Sequence, residues 1–356
     1  MIPVLYPDMP KLDSVLPYLE RVHNSGLFTN FGPLNSELKA NYAKLLNVDV
    51  SQIESAANAT LGIQGALRIL GGNSWAIQDW SFPATGLAAQ NANVEYTFLD
   101  VSPDSWRVDF TSLADENAGG ILAVEPFGVP LDLSWYEPIE TLVLDAAASL
   151  GNLPDLSKIK PNWIIVFSLH ATKILGCGEG ALLVFGSAEN ANKFRFWSNF
   201  GFSGTRISQI ERSTNAKLSE VGAGYALASL GEFPRKVEKY LTLRNYINSF
   251  SSSLGILPKP LGGTFVSPYW IVKFPNRSIR DFVESSLNDL QIQTRRWWPN
   301  LMSRMPAFVS PSRIDSHSRV SSELLDITLG LPFHLKLEFS DIEIISESIM
   351  RYTQET

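Results

Sequence analysis

One cysteine, Cys177, four histidines and no cluster of basic residues are what this sequence has least of. A lone thiol allows no intrachain disulfide and no cysteine-based metal cluster within one chain, which suits a reducing cytoplasm. His23, His170, His317 and His334 show no paired ligand spacing, so metal catalysis has no support. A net charge of −7 without a Lys/Arg block argues against nucleic acid and against an anionic membrane surface as partners. No stretch approaches the ~18 apolar residues that span a bilayer, and residues 1–7 lack a basic segment followed by an apolar run. A cytoplasmic protein is expected.

The chain has 356 residues, 45% of them apolar and 18% charged, the balance of a globular protein with a sizeable core. Domains usually run to roughly 100–200 residues, so a large domain with a smaller one attached is expected. Between residues 36 and 185 helical patterns alternate with short apolar runs at 75–77, 94–99, 121–124, 142–144, 163–167 and 181–185. Runs with so little polar alternation read as parallel strands covered on both faces by helices, an α/β arrangement. Ligands of open α/β sheets gather beyond the carboxyl ends of the strands, which brings forward Asp145, Ser168 and the segment 80–85. Helical spacing over 225–250 is interrupted at Gly231-Glu232-Phe233-Pro234. A boundary at about residue 235 divides a large domain (1–235) from a small α+β one (236–356) with elements at 269–274, 279–290 and 342–352. There is no internal repeat or low-complexity tract.

The run Asn162-Trp163-Ile164-Ile165-Val166-Phe167 reads as a buried strand leading into Ser168-Leu169-His170-Ala171-Thr172-Lys173-Ile174-Leu175-Gly176-Cys177-Gly178-Glu179-Gly180. A lysine near the end of such a strand, in the glycine-rich turn it runs into, can be desolvated, which lowers its pKa and makes the amine competent for Schiff-base chemistry. The alternative is an ordinary solvated lysine. The glycines at 176, 178 and 180 are not a dinucleotide fingerprint, which needs Gly-x-Gly-x-x-Gly between a strand and a helix.

Residues 168–180 resemble the Ser-Phe-His-x-x-Lys…Gly-Glu-Gly-Gly segment of the DegT/DnrJ/EryC1/StrS sugar aminotransferases, and similar matches recur in order over nearly the whole chain. The resemblance implies a fold-type-I pyridoxal 5′-phosphate (PLP) dependent transferase: a three-layer αβα large domain with a mainly parallel sheet, plus a smaller α+β C-terminal domain. It assigns the Schiff-base lysine to Lys173 and cofactor-phosphate binding to Ser168. His170 stands where the family keeps a histidine, read as packing or hydrogen bonding rather than as a direct catalyst; Cys177 is read as a small turn residue. A PLP ring works as an electron sink when a buried carboxylate keeps its nitrogen protonated. Asp145, opening Asp145-Ala146-Ala147-Ala148-Ser149-Leu150-Gly151, matches the family's aspartate; the other reading is a helix N-cap. Ala148 stands where the family usually has histidine or glutamine.

Asn58-Ala59-Thr60 precedes the helical pattern 61–70 and resembles the family's phosphate-binding turn, with Ala59 and Thr60 in that role; otherwise it is a helix cap. In Trp80-Ser81-Phe82-Pro83-Ala84-Thr85, Phe82 matches the aromatic that stacks on the cofactor ring, with Trp80 the second candidate. Asn215-Ala216-Lys217-Leu218-Ser219-Glu220 resembles the motif whose asparagine reaches the phosphate of the neighbouring subunit, which implies a homodimer with shared active sites. Arg295, Arg296, Trp297 and Trp298 are candidates for a substrate wall or for packing.

The implied reaction moves an amino group from L-glutamate to a nucleotide-linked keto-sugar, most like a dTDP-4-keto-6-deoxyhexose. The rivals are a sugar dehydratase, which in this family has histidine in place of Lys173; an aminocyclitol aminotransferase; and a non-catalytic nucleotide-sugar-binding protein.

Overall fold

The computed structural model describes residues 1–72, 74–111, 118–254, 258, 261–308 and 318–354. His317 lies outside the described residues. Two helices, α1 (Leu12–Ser25) and α2 (Pro33–Leu46), precede the sheet. Then come β1 (Ile53–Ala56), α3 (Ala59–Leu70), β2 (Ser74–Gln78), α4 (Pro83–Ala92), β3 (Glu95–Leu99), β4 (Gly120–Val124), β5 (Leu142–Asp145), β6 (Trp163–Ser168) and β7 (Ala181–Phe185). These strands form one sheet in the order β1-β7-β6-β5-β4-β2-β3. The pairs β2·β3, β2·β4, β4·β5 and β5·β6 are parallel.

Six of the seven strands coincide with the apolar runs read from the sequence. One expectation is corrected: β7 is antiparallel to β6 and to β1. The connection 169–180 is a turn closed on itself by Leu169 N donating to Gly180 O at 2.9 Å, with no crossover helix to bring the chain back in parallel. The unread strand is β1, whose Glu54 and Ser55 broke the apolar pattern. It is buried because Lys39 Nζ lies 2.6 Å from Glu54 Oε1 and Asn35 donates to Ser55 Oγ at 2.7 Å.

Alternation along each strand feeds two cores. Ile164 and Val166 pack with Ile63 and Leu67 of α3, Ala88 of α4, and Phe194 and Trp197 of α5 (Ala188–Trp197). Trp163, Ile165 and Phe167 pack on the other face with Leu38 and Tyr42 of α2 and with Ala223 and Leu227 of α6 (Glu220–Gly231). The sheet is therefore the middle of three layers.

The predicted helix break falls at Glu232, between α6 and α7 (Phe233–Leu254). Beyond it, β8 (Trp270–Lys273) and β9 (Thr328–Leu331) form a two-stranded antiparallel sheet accompanied by α8 (Arg277–Asp289), α9 (Arg319–Ile327) and α10 (Phe339–Gln354). Two carboxylates bind this part to the large sheet. Asp79 accepts from Ser303 N (2.8 Å), Ser303 Oγ (2.6 Å) and Ser318 Oγ (2.7 Å); Asp100 accepts from the amides of Val320 and Ser321, both at 2.8 Å. Among the described residues no helix is long and apolar enough to cross a membrane.

The last residue of the 215–220 motif has a structural task. Buried Glu220 accepts from the amides of Leu34 (2.7 Å) and Asn35 (2.9 Å), which lie in the first turn of α2 and have no acceptor within their own helix. Glu220→Ala strands both donors and should lower stability by about 1–3 kcal/mol. A fall in the urea midpoint at unchanged slope would show it; an unchanged midpoint would discard the capping role.

Candidate active site

Register decides where the site lies. Val124 pairs with Asp145, and Asp145 with Val166, so the carboxyl ends of β4, β5 and β6 open on one edge of the sheet. A cleft of about 650 Å³ occupies that edge. Ala59, Thr60, Phe82, Asp145, Ser168 and Lys173 all line it; Asn215 does not.

Lys173 projects from the turn between β6 and β7. Its amide donates to His170 O at 2.8 Å, its carbonyl accepts from Gly176 N at 3.0 Å, and Ala171 N reaches Gly178 O at 2.8 Å. Gly178 has φ +101°, a conformation that L side chains rarely adopt, so glycine there lets the turn close. Lys173 Nζ is 2.7 Å from the hydroxyl of Tyr269, in the segment entering β8. His170 Nδ1 is 2.9 Å from Thr172 Oγ1, and its Nε2 lies 3.7 Å from Glu179 Oε1. Cys177 is buried in the turn, and burial pushes its thiol up to about 12.

Asp145 ends β5 and is 6% exposed. Its Oδ2 accepts from Thr85 Oγ1 at 3.0 Å and its Oδ1 from Ala147 N at 3.2 Å. Burial raises its pKa; the Thr85 and Ala147 hydrogen bonds and the charge of Lys173 pull the other way without cancelling the rise. Glu125, the next carboxyl along the sheet edge, is fully engaged. Arg107 Nε lies 3.0 and 2.9 Å from its two oxygens, and Tyr136 donates to it at 3.0 Å.

At the other end of the cleft Asn58 caps α3 by accepting from Leu61 N at 2.9 Å. The amides of Ala59 and Thr60, in the first turn, are left without intrahelical acceptors and carry the positive end of the helix dipole. Ser168 Oγ accepts from His170 N at 3.2 Å, which leaves its proton free to donate. Phe82, at the N-terminus of α4, stands on the cleft wall with 56% of its surface exposed. Trp80 is fully buried, edge-on to Trp106, Phe127 and Trp298, and is core instead of wall.

Residues 295–297 divide by alternation, and Trp298 after them departs from it. Arg295 pairs through its backbone with Gly330 of β9, so successive side chains point to opposite sides. Arg295, Trp297 and Trp298 reach the cleft. Arg296 turns away and pairs with Glu284 and Asp281 of α8. Trp297 lies so close over Gly330 that a Cβ there would sit 2.3 Å from its ring. Ala148 also lines the cleft.

The donor set fits PLP. An amine, a buried carboxyl lacking a full counter-charge, amides at a helix start and hydroxyls at 60 and 168 are complementary to an aldehyde, a protonated ring nitrogen and a phosphate. Sequence reading passed over Thr85, Tyr269 and the Glu125–Arg107 pair. Thr85 stood inside a quoted motif, but its partner lies 60 residues away; Tyr269 appeared only as the first residue of an apolar run.

The fold places the chain among the PLP-dependent aminotransferases of fold type I. More narrowly, it belongs to the DegT/DnrJ/EryC1/StrS aminotransferase family, whose profile matches residues 13–350. It is 25% identical over 364 aligned residues to a dTDP-4-amino-4,6-dideoxy-D-glucose transaminase of Shigella dysenteriae, covering 97% of both chains. It is 23% identical to the Escherichia coli protein of that name, covering 94% of both. Among solved structures, DesI in the presence of its TDP-sugar product superposes with TM-score 0.84 at 25% identity, over 99% of this chain and 93% of that one. The sugar aminotransferase CalS13 from Micromonospora echinospora shares the fold with TM-score 0.83 at 19% identity, over 99% of this chain and 100% of that one.

Asp145 carries a pH signature. With its folded pKa raised, the native chain without cofactor binds more protons than the unfolded chain between the ordinary carboxyl value of 3.8 and the raised value. Stability therefore falls as pH rises through that window. Asp145→Asn should remove this fall and leave the cofactor-free protein more stable at neutral pH. Urea titrations of both proteins across acid to neutral pH test it, and parallel curves would refute it.

Proposed function

We propose that this protein transfers an amino group from L-glutamate to a nucleotide-linked keto-sugar of the dTDP-4-keto-6-deoxyhexose kind, with PLP held by Lys173. The observation that carries the reading is a lysine amine and a buried carboxyl opening on one cleft at the carboxyl edge of a mainly parallel sheet. Relatives that act on dTDP-linked sugars support the substrate class.

In this reading Asp145 keeps a proton on the ring nitrogen, and Thr85 and Ala147 fix the orientation of its carboxyl. Ala59, Thr60 and Ser168 would hold the phosphate, and Phe82, on the cleft wall, would pack against the ring. Bound PLP supplies an electron-poor ring that stabilises charge at the carbon being deprotonated. Lys173 anchors the cofactor and, once displaced, moves a proton at Nζ. Arg295, Trp297 and Trp298 offer a cation and aromatic faces to a diphosphate and a base or sugar. Asn215, away from this chain's own cleft, serves the phosphate of a second copy in a homodimer. Donor and acceptor use one cleft in turn, which predicts ping-pong kinetics.

The test is to load the purified protein with PLP, add L-glutamate, then a panel of dTDP-keto-sugars and keto-inositols. Glutamate should bleach the visible band and one keto-sugar should restore it with release of an amino-sugar. Lys173→Ala should lose both the turnover and the borohydride-stable label that wild type retains on this residue. A panel in which no keto-sugar is aminated, or turnover by Lys173→Ala, would reject the reading.

A further inference from the structure

Among the described residues, the hydroxyl of Tyr269 is the one hydrogen-bond partner of Lys173 Nζ, at 2.7 Å. The two residues come from different sheets: the lysine from the turn after β6, the tyrosine from the segment entering β8. Building this contact takes several interactions. Tyr269 N donates to Ser267 Oγ at 3.1 Å, and Ser267 Oγ donates to Phe127 O at 2.6 Å. The Tyr269 carbonyl accepts from Arg244, a fully buried guanidinium of α7. The ring is wedged edge-on between Phe127 and Trp297, with centroids at 5.7 and 5.2 Å. A phenol fixed at its backbone and on both sides of its ring has little freedom to leave the amine.

We infer that Tyr269 is a positioning residue for Lys173, holding the amine in place while it is not covalently bound and has a proton to move. This rests on the reading of Lys173 as the cofactor lysine. A free lysine side chain has four rotatable bonds and many rotamers. Unheld, it would sample many positions away from the reacting carbon; a fixed partner converts proton transfer into a pre-oriented intramolecular step. In that step the α-carbon of the donor gives its proton to Nζ, and the electron pair of the broken C–H bond stays with the substrate. A hydroxyl suits the task because it accepts from the ammonium and donates to the neutral amine, so the contact survives both protonation states. A carboxylate in its place would hold only the cation and oppose its deprotonation.

Tyr269→Phe deletes a single oxygen and leaves the ring packing. Borohydride reduction of the PLP-loaded variant should still label Lys173, as in wild type. At saturating L-glutamate the half-reaction should slow on the order of tenfold to a hundredfold with little change in KM, and the isotope effect with Cα-deuterated glutamate should rise. In the cofactor-free full chain, acetylation of Lys173 by acetic anhydride at mildly alkaline pH, followed by peptide mass, should run faster in the variant, because the amine is no longer held and covered by the tyrosine hydroxyl. A wild-type half-reaction rate with an unchanged isotope effect, or an unchanged acetylation rate, would overturn the inference. A borohydride label on some other residue of the wild type would remove the reading of Lys173 and this inference with it. The acetylation comparison, which needs neither cofactor nor donor, tells the two failures apart.

Discussion

The hydrogen-bonded ladder that keeps β4, β5 and β6 in step is the constraint from which the site follows. Because Val124, Asp145 and Val166 are register partners, the residues just beyond them emerge at one level and face a common space. A parallel ladder allows no slip by one residue without turning every side chain to the opposite layer. With Ile164 and Val166 committed to one core and Ile165 and Phe167 to the other, such a slip would bury the wrong set on both faces. Packing of the apolar interior thus fixes the position of an aspartate and a serine that contribute nothing to it.

Burial pushes up the pKa of two carboxyls on neighbouring strands of that edge, and their partners differ. Glu125 is buried beside Arg107 and Tyr136, a closed set in which both oxygens are matched. Asp145 is as deeply buried but has only a hydroxyl and one amide as direct partners, with the Lys173 charge acting more weakly. Burial raises the pKa of an acid in such surroundings, and a cation brought beside it would act against that rise. The mismatch is a cost to the free protein and a source of affinity for a ligand that brings a positive ring nitrogen.

Much of this was legible in the chain itself. The strands show as apolar runs because both faces of the sheet are covered; Asp145 and Ser168 are conspicuous as polar residues at the ends of such runs, and Lys173 as the one lysine in the glycine-rich turn that follows. What stayed hidden had its cause in three dimensions. β1 was masked by Glu54 and Ser55, whose partners Lys39 and Asn35 come from a preceding helix. The direction of β7 depended on how the glycine turn folds back, and Tyr269 acquires meaning only when the second sheet docks near Lys173. The fates of Arg295 and Arg296 were indistinguishable until the backbone pairing with β9 assigned one to each side.

That pairing also bears on how this scaffold can diversify. Arg295 and Trp297 face the cleft because they are two apart along an extended segment locked to Gly330, while Arg296 between them is committed to Glu284 and Asp281. Deleting one residue upstream would shift this register, presenting an ion-pairing arginine to the ligand and driving an indole toward acidic helix residues. New preferences should therefore accumulate here by replacing side chains one at a time, with the length of the segment held constant.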